Sequence, residues 1–270
     1  MGAGRRVIEP PDQETARALA RLYDLDLQED PGDLDLYRAL ADRTDGPVLE
    51  LAAGTGRLAI PLAAAGHPVT AVDIDEGMLA RARDRAAEAG LRSDAVEFVQ
   101  ADLLRLPEPT PGSARYGFAF IALNSIMLLA SRDSQRAAVR MLATQLRPGG
   151  IAAVDAWLPD ADDLGRFDGR VFHEWIRRDP ATGALVTKTG SAVHDASNGS
   201  LVLTAVFDEA PQGEAPRRWI RQDRLRLIGA EELASFAEDA GLRVELVAGG
   251  YDLTPLGYGA ERAVLIAERP

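Results

Sequence analysis

The chain of 270 residues has no cysteine. That removes disulfides, thiolate metal sites, iron–sulfur clusters and cysteine nucleophiles from the possible chemistries. Histidine is almost as scarce. His67, His173 and His194 are the only three, and they lie too far apart for a metal-binding spacing such as H-E-x-x-H, so no metal is expected. Lysine occurs once, at Lys188, and every other basic residue is arginine. Positive charge is in deficit: 30 Lys+Arg stand against 42 Asp+Glu, a net charge of −12. That balance argues against a nucleic-acid partner, because phosphate binding depends on neutralisation by Lys and Arg. Long apolar runs are missing too. The longest, Phe118–Ala130, is interrupted by Asn124 and Ser125 and is too short to cross a bilayer, so no membrane partner is expected. The opening MGAGRRVIEPPDQE contains no apolar signal-peptide core, which points to a cytoplasmic protein.

What is present is ordinary globular material, 46% hydrophobic and 27% charged, in a chain long enough to bury a large core. Residues 1–13 read as a loose tail ending near Pro10-Pro11. Apolar residues then recur at helical spacing from Glu14 to Asp42, with a break at Asp30-Pro31-Gly32, so residues 1–46 are expected to form a helical cap. From residue 47 short strands alternate with helices. Strands are expected at Val48–Leu51, Val69–Asp73, Val96–Gln100, Phe118–Leu123 and Ile151–Trp157, and helices at Arg57–Ala65, Met78–Ala89 and Ser134–Leu146. This is the grammar of a parallel sheet covered on both faces. Between residues 165 and 227 it changes. Asp/Pro/Gly-rich turns separate four strand-like runs, approximately Val171–Arg178, Ala184–His194, Ser200–Asp208 and Arg217–Leu227, which indicates an inserted antiparallel meander. Helix Ala230–Ala240 and strands Leu242–Val247 and Ala263–Glu268 resume the first pattern, so residues 47–164 and 228–270 are expected to form one core. The fold class is α/β: a Rossmann-like, seven-stranded, mostly parallel sheet with an inserted β meander.

The segment Val48–Asp75 carries the chemistry. A strand runs into Ala52-Ala53-Gly54-Thr55-Gly56, then a helix, then a strand ending in Asp73. Glycines let backbone N–H groups approach a ligand, and a carboxylate about 20 residues on is placed to accept hydrogen bonds from a ribose diol. Gly54-x-Gly56-x-x-Ala59 satisfies the dinucleotide fingerprint, so a nicotinamide oxidoreductase is one reading. S-adenosylmethionine (SAM) is the other. Glu50 before the loop suits the ammonium of a methionine moiety better than a pyrophosphate, and Asp102 after the third strand can accept from an adenine amino group. No Tyr-x-x-x-Lys pair is present to serve hydride transfer.

Taken in order, Glu50-Leu51-Ala52-Ala53-Gly54-Thr55-Gly56, Ala71-Val72-Asp73-Ile74-Asp75, Gln100-Ala101-Asp102, Leu123-Asn124-Ser125 and Leu146-Arg147-Pro148-Gly149-Gly150 resemble the motifs of class I SAM-dependent methyltransferases. The resemblance covers residues 14–158 and the closing strands. It is nearest to bacterial small-molecule enzymes with a β-rich insertion, such as the sugar N-methyltransferases of antibiotic pathways. It implies SAM as cofactor and S-adenosylhomocysteine as product. Glu50, Ala52, Gly54 and Gly56 would wrap the methionine part, and Asp73 would hold the ribose. Ile74, Asp102 and Leu103 would frame the adenine, and Asn124 would face the sulfonium. Tyr23 matches an N-terminal tyrosine that closes over the cofactor, or packs on the core. Ala52 and Ala53 depart from the usual loop residues, and Ala119 from the usual Asp. The Asn-Pro-Pro-aromatic motif of base-amino methyltransferases is absent.

The resemblance implies methyl transfer to O or N of a small molecule, a natural product or secondary metabolite. A SAM-binding protein with a non-methylating activity keeps the same motifs. His173 is the candidate general base, since imidazole titrates near neutrality, or else a solvated lid residue. Asp155, Trp157, Tyr251 and Asp252 lie near the expected substrate side, with packing as their alternative role. The meander is expected to cover the site, to form a homodimer, or both. Its Trp175 and Trp219 would serve a substrate pocket, a subunit interface or sheet packing.

Overall fold

The structure, a computed structural model, describes residues 12–29, 31–110 and 112–270. The expected tail at residues 1–13 therefore falls almost wholly outside the described residues. The chain enters helix α1 (Gln13–Asp26), where the Asp12 carboxylate caps the first turn by accepting from the Thr15 amide at 2.8 Å. Helix α2 (Leu34–Asp42) follows, then strand β1 (Val48–Leu51), α3 (Ala59–Ala64), β2 (Val69–Asp73), α4 (Glu76–Glu88), β3 (Val96–Gln100), β4 (Tyr116–Ile121), α5 (Arg132–Gln145), β5 (Leu146–Trp157) and α6 (Ala161–Arg166). Four long strands come next, β6 (Asp168–Arg178), β7 (Leu185–Asp195), β8 (Ser200–Ala210) and β9 (Arg217–Arg226), before α7 (Ala230–Asp239), β10 (Arg243–Ala248) and β11 (Arg262–Glu268).

Seven strands make one sheet in the order β10-β11-β5-β4-β1-β2-β3. All run parallel except β11, which is antiparallel to both neighbours. The four residues of β1 are buried, as are the six of β4, because helices cover both faces. Two apolar clusters fill those layers. One holds Leu49, Leu51, Ile121 and Val154 against α5 and α7, and the other holds Val48, Phe118, Phe120 and Val264 against α2 and α3. Strand order reverses between β1 and β4, and a crevice at the carboxyl ends of strands that diverge there is where α/β sheets receive ligands.

The expected α/β architecture is present, with small differences at the element ends. Arg147-Pro148-Gly149-Gly150, expected as a free turn, is the irregular start of β5. There the Gly149 amide donates to the Arg269 carbonyl at 2.7 Å. The short helix α6 was not anticipated. It is too brief for a helical period and is announced only by an Asp160–Asp163 capping box.

Strands β6 to β9 form a second, antiparallel sheet in sequence order. Its inner face packs on α1, where Val186 and Phe207 meet Leu22 and Leu25, flanked by Trp175 and Trp219. The two tryptophans thus seat the sheet on the helix. Trp175 Nε1 donates to Asp26 at 2.8 Å and Trp219 Nε1 to Glu209 at 3.0 Å. Arg177 donates to the carbonyls of Leu25 and Asp26 at 2.7 and 2.8 Å, which satisfies acceptors that the end of α1 leaves open. Lys188 reaches Asp26 at 2.6 Å and Glu174 at 2.7 Å.

Gly117 marks the tightest packing beneath β4. A Cβ there would collide with the backbone of Asp45, which cannot turn aside as a side chain would. Gly117→Ala is therefore expected to lower the unfolding free energy by about 1–3 kcal/mol in urea titrations.

Candidate active site

The loop after β1 reverses the chain through three left-handed residues, Ala52 (φ 60°), Gly54 (φ 55°) and Gly56 (φ 74°). At Ala52 the Cβ carries a steric cost that glycine would avoid. Hydrogen bonds hold the loop in place. The Ala53 amide donates to the Val72 carbonyl at 3.0 Å, and the Gly54 amide donates to Asp73 Oδ2 at 2.7 Å. Asp73 Oδ1 accepts from the Asp75 amide at 2.9 Å. The carboxylate thus ties the loop to the end of β2 and keeps further lone pairs free. Burial pushes its pKa above the usual range, against the pull of those two amides. Ile74 beside it is 67% exposed, an apolar shelf open to solvent.

Glu50 lies beneath the loop and is only 4% exposed, and its Oε2 has no hydrogen-bond partner. Burial pushes its carboxyl up to about 8, with the Arg57 guanidinium pulling it partly back. Arg57 itself is committed elsewhere. It makes a bidentate pair with the fully buried Asp33, both contacts at 2.6 Å. The site therefore holds one buried acidic oxygen lacking a donor, which is the feature a bound ammonium group would complete.

On the far side of β2, Asp102 Oδ1 accepts from the Leu104 amide at 2.9 Å. Its other oxygen has only a 3.4 Å contact with Arg105. Leu103 packs on the core beside it. On the near side, the chain leaves β4 through Leu123 (φ 50°) and Asn124 (φ 64°). Both amides donate to the buried Asp155, at 2.8 and 3.2 Å. Asp155 also accepts from Tyr37 Oη at 2.8 Å and Arg262 Nη1 at 2.7 Å, and the same Nη1 donates to Asn124 Oδ1 at 3.0 Å. Asp155 is thus a packing hub. Tyr251 stacks under Arg262 at 4.6 Å with its buried hydroxyl unpartnered, while Asp252 turns outward to cap its own loop through Thr254.

Helix α1 closes the crevice. Asp24 accepts from Thr55 Oγ1 at 2.6 Å, Arg81 Nε at 2.8 Å and Arg85 Nη1 at 3.1 Å, which clamps the helix to the loop and to α4. Tyr23, one residue earlier, lies against Gly54: a Cβ on that glycine would stand 3.9 Å from the Tyr23 ring. Tyr23 also lines a cavity of about 290 Å³ between α1 and the inner face of the second sheet, with Leu19, Phe167, Phe172, Leu203 and Phe207 among its apolar walls. One ring therefore separates the glycine loop from this cavity.

The expected cofactor residues Tyr23, Glu50, Ala52, Gly54, Gly56, Asp73, Ile74, Asp102, Leu103 and Asn124 accordingly lie at the carboxyl ends of β1 to β4 and on the adjoining helix. His173 does not join them. It is exposed and does not line the cavity, although its neighbours Phe172 and Glu174 do. His67 pairs with Asp42 at 3.0 Å, away from the loop. Trp157 packs edge-on against Phe167, at 5.8 Å between ring centroids. The pairing of Arg57 with Asp33, the Arg262 contact and the cluster of Lys188, Asp26 and Glu174 were not anticipated. The one available signal was the presence of a single lysine in an arginine-biased chain.

Residues 48–150 match the family described as Methyltransferase domain. The chain is 28% identical over 231 residues to the dTDP-3-amino-3,4,6-trideoxy-alpha-D-glucopyranose N,N-dimethyltransferase of Streptomyces venezuelae, covering 83% of this chain and 85% of that one. It superposes on the CcbJ methyltransferase of Streptomyces caelestis with a TM-score of 0.72 at 26% identity, covering 96% and 99% of the two chains. A likeness of fold alone extends to a S-adenosylmethionine-dependent methyltransferase of Clostridium acetobutylicum, with a TM-score of 0.74 at 17% identity, covering 93% and 97%.

Glu50 gives a stability signature. Its folded pKa of about 8 lies above the ordinary 4.5, so its contribution is fully present below pH 4.5 and is lost as pH rises through 8. Glu50→Gln should therefore gain stability over the parent as pH is raised from about 6 to about 9 in the absence of ligand, read by urea denaturation at each pH. A constant difference would show that Glu50 does not titrate there.

Proposed function

We infer, from the premise that this chain is a SAM-dependent methyltransferase, that it methylates a nitrogen or oxygen of a small natural product or secondary metabolite held in the cavity behind Tyr23. The observation that carries the reading is adjacency. The unpartnered oxygen of Glu50 and the loop around Gly54 lie on one side of the Tyr23 ring, and a mostly apolar cavity lies on the other. Bound along the loop, SAM supplies a methyl group on a positively charged sulfur, a good leaving group.

The chain's own residues then have definable tasks. Glu50, ionised, would receive the ammonium of the methionine part, while Ala52, Gly54 and Gly56 allow close approach. Asp73 would accept from the ribose hydroxyls with the lone pairs its two amide contacts leave free. Ile74 and Leu103 would flank the adenine, and Asp102 would accept from its amino group. Asn124, pinned by Arg262 and Asp155, would stand at the sulfonium end. Tyr23 would align the acceptor and exclude water.

Nitrogen is the favoured acceptor atom. A hydroxyl, a very weak acid, requires a base to take its proton, and the bases lining the cavity are the weakly basic carboxylates Asp26, Glu174 and Asp223, with no histidine among the described residues there. A neutral amine requires only alignment. Its lone pair forms the N–C bond, the C–S bonding pair returns to sulfur, and a proton leaves nitrogen afterwards.

Isothermal titration with S-adenosylhomocysteine, with NADH as control, tests the cofactor assignment. Asp73→Ala is expected to weaken homocysteine-product binding by about tenfold or more, and NADH is expected not to bind. NADH binding without binding of the SAM product would overturn the reading.

The outer face of the second sheet exposes Val171, Ile176, Val193 and Ile220. We propose that this face pairs two copies of the chain. Ile220→Glu should convert a dimer to a monomer in light scattering, and an unchanged mass would refute the pairing.

A further inference from the structure

We propose that Glu174 is the side chain that receives the acceptor, and that the acceptor is an amine on an apolar body carrying no phosphate or diphosphate group, which binds as its ammonium form and passes one proton to the Glu174 carboxylate, freeing the nitrogen lone pair, before methyl transfer. The proposal rests on the cavity behind Tyr23 being the acceptor site, as read above.

Three carboxylates line that cavity, Asp26, Glu174 and Asp223, against two cations, Lys188 and Arg221. Asp223 is matched by Arg221 at 2.7 Å. Lys188 alone answers both Asp26, at 2.6 Å, and Glu174, at 2.7 Å. Asp26 is further satisfied by Trp175 Nε1 at 2.8 Å. One negative charge is left over, and it resides with Glu174, whose Oε2 meets Lys188 while Oε1 faces Gly190. A monocation neutralises this site. A phosphate or diphosphate would add two or more negative charges beside carboxylates in a partly buried space.

The backbone places Glu174 in the cavity. In the pairing of β6 with β7, His173 stands opposite Thr189 and Trp175 opposite Lys188, so Glu174 is an extra residue, a bulge. Bulges redirect a side chain, and here the carboxylate swings over Gly190. Any Cβ at position 190 would collide with Glu174 Oε1 and stand 3.0 Å from the Phe172 ring. Gly190 has no left-handed backbone angle to explain it. Its lack of a side chain is the room that Glu174 occupies. The neighbouring groove between α1, α4 and the second sheet offers no alternative seat for a diphosphate. Its four arginines, Arg17, Arg21, Arg81 and Arg217, share it with four carboxylates, Glu14, Asp84, Glu209 and Glu214, and three of them are ion-paired, Arg21 with Glu209, Arg81 with Asp24 and Arg217 with Glu14 and Glu214.

The test is calorimetric titration of the protein saturated with S-adenosylhomocysteine, using phenethylamine, its carboxylate counterpart hydrocinnamate, and thymidine diphosphate. The parent is expected to bind the amine and neither anion. Glu174→Gln removes the charge, and Gly190→Ala keeps the charge but displaces it. Each should weaken amine binding by about tenfold or more while leaving affinity for S-adenosylhomocysteine unchanged. Parental amine affinity in both variants, no amine binding by the parent, or preferential binding of thymidine diphosphate overturns the proposal. Failure of the parent to bind S-adenosylhomocysteine falls instead on the cofactor reading.

Discussion

Four donors converge on the carboxylate of Asp155, which has no solvent exposure. They come from α2 (Tyr37), from the two left-handed residues after β4 (Leu123 and Asn124), and from β11 (Arg262). A carboxyl group so deep is tolerated only when its polar atoms are filled. The demand works in both directions. The carboxylate needs all these donors, and the donors' elements are thereby fixed at the mouth of the crevice. The turn that presents Asn124 is a strained backbone held in position by this one side chain. The near wall of the site depends on it.

Helix α1 is the second constraint, because it serves two surfaces at once. Asp24 binds the glycine loop and α4 through Thr55, Arg81 and Arg85. Asp26, two residues on, binds the second sheet through Trp175 and Lys188. Tyr23 lies at the boundary between the loop and the cavity. Two neighbouring acidic residues thus turn a short amphipathic helix into a partition between the glycine loop and the cavity. The apolar contacts of Leu22 and Leu25 supply the burial that holds it there.

Much of this was legible in the sequence because the relevant signals are local. The loop from Glu50 to Gly56, the acid at Asp73 and the alternation of strands and helices each lie within a short window, and the sheet follows from them. What was not legible depends on contacts between distant residues. Lys188 and Asp26 are 162 positions apart, and Asp155 and Tyr37 are 118 apart. His173 illustrates the limit. Uninterrupted alternation along β6 would put it on the same face as Trp175, toward α1. The bulge at Glu174 reverses that phase, so Phe172 faces inward in its place. A one-residue irregularity has no compositional signature.

That irregularity has an evolutionary consequence. Removing Glu174 would restore the simple pleat while leaving Phe172 opposite Gly190 and His173 opposite Thr189, on the faces they occupy now, so the other three strands would be undisturbed. A single codon deletion would thus withdraw the carboxylate and keep the phenyl ring. A charge carried on an extra residue can be removed in one step without re-phasing the strand, so such a scaffold can change the electrostatics of its cavity through an indel while its pleat and its apolar lining are kept.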